Sequence, residues 1–363
     1  MGALLSAPPR RGDGSASRNP PLACWPSIFG FLRIRGAHLT ESADREPTWE
    51  TRKNSAVRQL RRRSSLMRLL LAVKAKSVAV EKGYAPKMKY HLAHIIPSPR
   101  MHGLNGYKDV IDTLQWGLGQ LGHEVTYAVN QISGEATNVI FGAQMIPAAT
   151  LRLLPADTIV YQLEQLRDNT KPDYLYALRT FNVWDYSKSN IEFLRKLSPA
   201  RDVKLVPVGF APVLERVAKP EAQDIDVLMY GAAGQERLSA IYALSQSGLV
   251  TVFVSGLYGA ARDALIARAK LVLNVTLYRR VFEIVRVSYL LANKKAVVTV
   301  VDPSADVRDE FNGAIQFSDP KSLVRDCEAL AQDDDGRHAL EGAGYSIFKQ
   351  RDIRDILSAA LAA

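Results

Sequence analysis

A turn with two glycines and an arginine lies in the segment YGAAGQER at 230–237. Gly231 and Gly234 would let the backbone approach a phosphate group closely, and Arg237 would lie in the first turn of the following helix. A diphosphate needs N–H donors and a compensating cation, and an arginine fork supplies both. The same residues also fit an ordinary strand-to-helix turn with a solvated arginine, and this segment by itself supports both interpretations equally.

An acidic residue begins the next informative helix, in FEIVRVSYLLANKKAVV at 282–298. The two carboxylate oxygens of Glu283 could accept hydrogen bonds from both hydroxyls of a ribose. The competing interpretation is an acid at a helix N-terminus, where the macrodipole stabilises it. Periodicity alone favours this second interpretation.

Another glycine-rich turn, SGLYGAARD, carries Gly256 and Tyr258. The tyrosine ring could stack on a nucleotide base or pack against the end of the sheet. Packing is the favoured interpretation, because aromatic residues at strand ends usually belong to the core.

A histidine follows the first predicted strand, in the loop SPRMHGLNG. A neutral imidazole can take up a proton near about pH 7, which makes His102 a candidate general base. Glu164 at the end of DTIVYQLE and Asp185 in VWDYS compete with it. Gly103 and Gly106 would let the loop approach a ligand closely. A lone histidine in a loop is more often a surface residue.

These candidates fall at the ends of short apolar runs that alternate with helical patterns. KYHLAHIIP, HEVTYAV and TNVIFGAQ are typical of strands, and YKDVIDTLQWGLGQLG has apolar residues at helical spacing. After a connector rich in valine and proline, VKLVPVGFAP, the alternation restarts with DIDVLMYG. The pattern predicts an α/β protein with two parallel, doubly wound sheets. Ligands of such sheets bind beyond the C-terminal strand ends, where the candidates lie.

The chain divides into five parts. They are a basic leader at 1–87, a first lobe at 88–205, a linker at 206–223, a second lobe at 224–345 and a C-terminal helix at 346–363. The last helical pattern fits packing over the second lobe as well as a return to the first.

The net charge of +10 is concentrated in the leader. Residues 1–88 hold 17 Lys and Arg against 6 Asp and Glu, whereas the rest of the chain holds 30 against 31. Because the two lobes are close to neutral, we expect no nucleic-acid partner.

The leader has two interpretations. Its first 56 residues mix Pro, Gly, Ser and Arg without a period and are expected to be disordered. The stretch 57–80 lacks acidic residues and could form a basic amphipathic helix that contacts anionic lipid at the inner face of a membrane. A coding start placed too far upstream is favoured, with Met88 directly before the first strand as the true start.

Cysteine content and hydropathy exclude several protein classes. Only Cys24 and Cys327 occur, which excludes a disulfide framework or a Cys-rich metal site and favours a reducing, cytoplasmic setting. No apolar run reaches the ~18 to 20 residues of a membrane-spanning helix. No carboxylate pair follows a strand in a position suited to a divalent metal, and we expect neither a metal nor a cofactor.

The stretch from Asp226 to Val298 resembles bacterial glycosyltransferases of the GT-B type. The resemblance is carried by VLMYG, GLYGAARDALIARAKLVLN and VFEIVRVSYLLANKKAVV in that order, with VWDYSKSN and VPVGFAP upstream. Within that type the chain is most similar to CgeB-like proteins and to the glycosyl transferases of group 1. The resemblance implies two Rossmann-like lobes with a cleft between them, the donor nucleotide sugar in the second lobe and the acceptor in the first.

By the same resemblance, Glu283 matches the glutamate that contacts the donor ribose at the start of this helix. The family often carries another glutamate eight positions earlier, where this chain has Val275, and a retaining mechanism of the usual kind is therefore in doubt. Basic side chains and helix N-termini would neutralise the leaving diphosphate. The expected donor-binding residues are Tyr230, Gly231, Arg237, Gly256, Tyr258, Asn274, Glu283 and Arg286, and the expected catalytic residues are His102 and Glu164.

The implied activity is transfer of a sugar from a nucleotide-diphosphate sugar to a hydroxyl of a polysaccharide, glycolipid or protein glycan. Two alternatives stay open. One is a non-catalytic nucleotide-sugar-binding protein, and the other is a nucleotide-sugar epimerase, which would need its own acid and base pair. A nicotinamide enzyme is disfavoured, because neither lobe has an intact G-x-G-x-x-G with an acid about 20 residues later.

Overall fold

The computed structural model describes residues 87–98, 102–198, 203–218, 220, 222–275, 282–300 and 307–362. For residues 102–104 and 308 it describes the backbone alone. The expectations for the leader up to residue 86 therefore lie outside the described residues.

The first lobe is built on a parallel sheet. Its strands are β1 (Lys89–His94), β2 (Glu124–Val129), β3 (Thr137–Phe141), β4 (Ile159–Gln162), β5 (Asn182–Asp185) and β6 (Val203–Leu205). They lie in the order β2-β1-β3-β4-β5-β6. The central strands β1 and β3 are buried along nearly their whole length, as parallel strands covered on both faces are, whereas the edge strand β2 alternates.

Four α-helices connect the strands of this lobe. They are α1 (Lys108–Gln120), α2 (Ala148–Leu151), α3 (Pro172–Thr180) and α4 (Lys188–Leu197). A 3-10 helix at His102–Tyr107 precedes α1. Ser187 caps α4 by accepting a hydrogen bond from the Asn190 backbone N–H.

The second lobe repeats this architecture. Its strands are β7 (Ile225–Tyr230), β8 (Thr251–Val254), β9 (Ala269–Val275), β10 (Ala296–Val300) and β11 (Gln316–Ser318), in the order β11-β10-β9-β7-β8. Its helices are α5 (Gln235–Gln246), α6 (Ala260–Arg268), α7 (Ile284–Ala292), α8 (Val307–Glu310), α9 (Leu323–Gln332) and α10 (Asp334–Lys349). All strand pairings are parallel, so the prediction of two parallel doubly wound sheets is confirmed.

The segment interpreted as a connector begins with a strand. Residues 203–205 of VKLVPVGFAP form β6, which pairs with β5 through Val183 and Val203. Three residues are too few to show a period, which is why the valines and prolines around them suggested a linker.

The last helix returns to the first lobe. The helix α11 (Ile353–Ala362) packs on α1, where an added Cβ at Gly117 would come within 2.8 Å of Leu357 and 2.9 Å of Ile353. Lys204 Nζ of β6 also donates to the Ala360 carbonyl at 2.8 Å. Of the two alternatives, packing over the second lobe or return to the first, the structure shows the return. The helix begins at Ile353, whereas the sequence interpretation began it at 346.

None of the described helices is both long and apolar enough to cross a membrane.

Candidate functional site

A glycine with an arginine beside it follows β7 of the second sheet. Gly231 has φ of +128°, a conformation that side chains rarely adopt. A Cβ added there would lie 2.7 Å from Nη2 of Arg286. The position therefore needs glycine both for its backbone conformation and for the space that the arginine occupies.

Arg237 is almost fully buried, with 1% of its surface exposed. Its Nε donates to the Val275 carbonyl at 2.8 Å and its Nη1 to the Ala232 carbonyl at 2.9 Å. Its Nη2 donates to both carboxylate oxygens of Glu283 at 2.8 and 2.9 Å. All three nitrogens are engaged within the protein, so Arg237 ties the β7–α5 turn to the end of β9 and the start of α7. From the sequence, the guanidinium of Arg237 was expected to be free to bind a ligand or water. The contact between Arg237 and a phosphate stays a prediction.

Glu283 lies immediately before α7 and binds two arginines. Besides Arg237, the Arg286 guanidinium lies 2.8 Å from its carboxylate. Arg286 also donates to Asn274 Oδ1 at 2.9 Å, and the buried Asn274 amide donates to Thr299 Oγ1 at 3.0 Å. Two guanidinium groups thus surround one carboxylate, and Arg286 is held from two sides in one orientation.

The hydroxyl of Tyr230 lies at the same corner. It is buried and has no hydrogen-bond partner among the described residues. The Arg286 guanidinium carbon lies 5.5 Å from the centre of its ring. Burial raises the pKa of Tyr230, which keeps the phenol neutral and able to donate a hydrogen bond. The fixed Arg286, with 16% of its side chain exposed, is the group of this pair that an anionic ligand could reach.

The first lobe presents a carboxylate held by two neighbours. The Tyr107 hydroxyl donates to Glu164, and Gln144 Nε2 donates to Glu164 Oε1 at 3.0 Å. Both hydrogen bonds to the half-buried Glu164 side chain go to Oε1, and among the described residues Oε2 accepts no hydrogen bond. This oxygen could accept a proton or a hydrogen bond from a ligand.

Asp185, the other acidic candidate of this lobe, is closed off from solvent. Its Oδ1 accepts from the Ser187 backbone N–H at 2.8 Å and from Asn190 at 3.2 Å, and its Oδ2 accepts from Gln162 at 2.9 Å. Burial raises the pKa of Asp185 to about 7, and the three hydrogen bonds act in the opposite direction. The carboxylate orders the end of β5 from inside the lobe and cannot reach a ligand directly.

Tyr186 lies near acidic groups of both lobes. Burial raises the pKa of Tyr186, and the charges of Asp185, Glu164 and Glu283 raise it further. Tyr186 also lines one cavity together with Phe282 and Ile284 of the second lobe, so it lies where the two lobes meet. The candidates of the two lobes therefore face one common cleft.

Similarity to solved structures extends over both lobes. Anabaena HepE in complex with UDP and glucose is 13% identical with a TM-score of 0.54, and the match covers 76% of this chain and 99% of that one. Sucrose-phosphate synthase from Thermosynechococcus elongatus is 10% identical with a TM-score of 0.52, covering 76% and 98%. The sequence matches no protein-family model and no curated protein.

The chain has the GT-B fold of these glycosyltransferases.

Of the expected donor-binding residues, the structure gathers most at one corner of the GT-B cleft. Tyr230, Gly231 and the pair Glu283–Arg286 contact one another or a shared neighbour. Gly256 stands apart as an exposed turn glycine with φ of +73° and nothing near its Cα that would meet a side chain. The further resemblance to CgeB-like proteins stays a prediction.

Tyr258 faces the first lobe across the cleft. Its ring would lie 3.9 Å from a Cβ added at Gly106, which brings the expected acceptor loop against the end of β8. Burial raises the pKa of Tyr258, and the charges of Arg286 and Arg262 oppose this. The structure describes only the backbone of His102 and Gly103, which lies in the 3-10 helix before α1. The catalytic role of His102 stays a prediction.

An ion-pair cluster between the lobes was missed from the sequence. Arg262 of α6 donates to Asp109 of α1 at 2.7 Å, and its guanidinium carbon lies 4.1 Å from the centre of the Tyr289 ring. Arg216 also binds Asp109, and it donates to Asp112 at 2.8 Å. The sequence signal for this cluster was Asp109 next to the apolar stripe of α1. Its partners Arg216 and Arg262 are distant in sequence, so their contact with it was not predicted.

Within the part of the chain that the structure describes, no three His, Cys, Asp or Glu side chains are grouped so that they could hold a metal ion. The expectation of a reaction without metal or cofactor stays a prediction.

Proposed function

We propose that the protein is a glycosyltransferase that moves a sugar from a nucleoside-diphosphate sugar to an acceptor hydroxyl. The observation that carries the proposal is the anion-binding corner of the second lobe. There Arg286 is fixed by Glu283 and Asn274 beside the glycine turn and the Tyr230 ring. A leaving diphosphate needs such preorganised positive charge and donors, because charge develops on it as its bond to the sugar breaks.

The donor class is supported by the compounds found with a protein of the same fold. The Anabaena HepE structures contain UDP and glucose in one case and UDP-glucose in another, the latter at 14% identity and a TM-score of 0.52. We therefore propose UDP as the first nucleotide to test. The acceptor hydroxyl would come from a polysaccharide, a glycolipid or a protein glycan.

In the proposed reaction the acceptor oxygen forms a bond to the anomeric carbon of the donor sugar. The bond between that carbon and the phosphate oxygen breaks, and its electron pair leaves with the nucleoside diphosphate. Glu164 Oε2 takes the acceptor proton, and His102 is the alternative base. Arg286 and the backbone N–H groups at the start of α5 stabilise the leaving diphosphate.

The test begins with thermal stabilisation of the full chain by a panel of nucleoside diphosphates. Binding follows mass action, so about 100 Kd of ligand adds about 2.7 kcal/mol of stability. We expect UDP to raise the melting temperature of the wild type and to have little effect on Arg286→Ala. Arg268→Ala is the matched control, because Arg268 lies in the same lobe in an exposed pair with Asp224.

Turnover is then measured as release of UDP from UDP-sugars, with and without acceptors. Loss of release in Glu164→Gln with release retained in His102→Ala would identify Glu164 as the base, and the reverse result would identify His102. UDP binding without release of sugar to any acceptor would instead indicate a nucleotide-sugar-binding protein. Absence of stabilisation by every nucleotide would refute the proposal.

A further inference from the structure

A cavity of about 590 Å³ opens next to the proposed transfer site. Its walls come from the ends of β5 and β6, from the starts of α7 and α8, and from the C-terminal crossing with α11. Tyr186 and Phe282 line the cavity, and Phe282 directly precedes Glu283 in the chain. The cavity therefore lies beside the start of α7, where Glu283 binds Arg237 and Arg286.

Aliphatic and aromatic side chains form much of this cavity. Leu205, Pro207 and Ile356 lie on the side of the first lobe and the returning helix, and Phe282, Ile284 and Phe311 lie on the side of the second lobe. Leu205 is 39% exposed at the end of a strand whose next residue, Val206, is fully buried. Keeping such a side chain solvated is unfavourable, and an apolar ligand would remove it from water.

Charged residues also line the cavity, among them Lys188, Asp309 and Glu310. Arg351 lies against the Phe311 ring, 4.9 Å from its centre, and forms an ion pair with Glu310. The hydroxyl and ammonium groups of Ser187, Lys188 and Ser189 come from one short stretch next to Tyr186. The polar groups of the cavity therefore come from two places, residues 187–189 beside Tyr186 and the group of Asp309, Glu310 and Arg351, and the rest of the wall is apolar.

We propose that the acceptor carries an aliphatic chain, which occupies this cavity while its hydroxyl end points toward Tyr186 and Glu164. The inference rests on the proposed function, and it narrows the acceptor from any glycan to a hydroxyl compound with an alkyl part. A purely polar oligosaccharide would leave the apolar wall hydrated and would therefore bind less tightly.

The test is a titration of the full chain with methyl, butyl, hexyl and octyl glucosides below their micelle concentrations. The chain length is the variable, and the sugar is constant. Each buried methylene adds up to about fourfold in affinity. We expect the dissociation constant to fall steadily from the methyl to the octyl compound.

Two variants test whether the alkyl chain binds in this cavity. Leu205→Asp and Ile356→Asp place a charge in the cavity wall and should reduce the gain from methyl to octyl by about tenfold or more, because a carboxylate there opposes burial of a chain. Leu153→Asp is the control, since Leu153 is 56% exposed in the first lobe and is not among the residues lining the cavity. Circular dichroism and melting temperature confirm that each variant is folded, and Leu205 is exposed enough that its substitution should be tolerated.

The outcomes separate this inference from the proposed function. Equal affinity for methyl and octyl glucoside, or a chain-length gain that both cavity variants retain, would overturn the aliphatic acceptor. UDP stabilisation is measured on the same samples. If UDP fails to stabilise the wild type, the proposed function is refuted whatever the alkyl glucosides show. If UDP binds normally but the affinity for the glucosides does not depend on chain length, only the aliphatic acceptor is refuted.

Discussion

Arg262 of the second lobe and Asp109 of the first form a nearly buried ion pair across the lobes, with side chains 6% and 10% exposed and the closest atoms 2.7 Å apart. Arg216, in the connection between the lobes, binds the same carboxylate. Removing two charges from water is costly, so this contact is stable only while both partners are present. The Asp109 carboxylate therefore links α1 both to α6 and to the connection between the lobes.

We expect Asp109→Asn to lower the free energy of unfolding by about 1–3 kcal/mol, because Arg262 would lose its hydrogen bonds to Asp109 and keep only Asp263 as a counter-ion. Urea denaturation measures the effect. Asp224→Asn is the control, since it breaks the exposed pair with Arg268 and should cost less than about 1 kcal/mol. Similar losses in the two variants would contradict the importance of burial at Asp109.

Asp185 predicts a pH dependence of stability. Burial raises the pKa of Asp185 to about 7 in the folded protein, whereas the unfolded value is about 3.9. The folded state therefore binds the proton more tightly, so the stabilising contribution is complete below about pH 4 and is lost as the pH rises through about 7.

This contribution should change by up to about 1.4 kcal/mol per pH unit within that window. Comparing wild type and Asp185→Asn by urea denaturation at several pH values isolates it, because the difference between their slopes excludes the other titrating groups. Parallel stability curves would show that the carboxylate is ionised throughout. The variant should also be less stable overall, since its amide would face the Gln162 amide.

Gly231→Ala should reduce both stability and UDP binding. The left-handed conformation costs about 1–3 kcal/mol for a residue with a side chain, and the new methyl group would displace the Arg286 guanidinium. Thermal unfolding with and without UDP reports the two effects separately. Gly248→Ala controls for strain, because Gly248 has φ of +88° but nothing within 4 Å of an added Cβ. If UDP stabilises both variants equally, Arg286 does not contact the nucleotide.

Two glycines of α1 should respond in opposite directions. Gly117→Ala would press against Leu357 and Ile353 of the returning helix, and overpacking of this kind costs about 1–3 kcal/mol. Gly119 is exposed on the same helix with nothing within 4 Å, so Gly119→Ala should stabilise by about 0.5–1 kcal/mol. Thermal denaturation of both variants provides the comparison. A stabilising Gly117→Ala would mean that α11 does not pack there.

Local patterns were sufficient to predict the two sheets. The continuous apolar runs of β1 and β7 and the helical spacing of α1 each follow from the residues within one element. The three-residue strands β6 and β11 were not identified, because their pairing is decided by neighbouring strands and not by a period of their own.

The site was predictable in its position but not in its internal contacts. The search at strand ends singled out Gly231 and Glu283, and in the structure both lie against Arg286. The bond between Arg237 and Glu283 joins residues 46 apart, and the pair of Asp109 and Arg262 spans 153. Such contacts depend on how the strands are ordered and on how the lobes face each other, and neither is encoded in local spacing.

The chain passes between the lobes twice, and the two passages are joined. The Phe210 backbone N–H donates to the Arg351 carbonyl at 2.7 Å, and the Ile353 N–H donates to the Phe210 carbonyl at 3.0 Å. Two covalent connections that lie side by side can serve as a single hinge between the lobes. A rotation of the lobes about these connections would change the shape of the neighbouring cavity, because Arg351 and Ile356 belong to its wall.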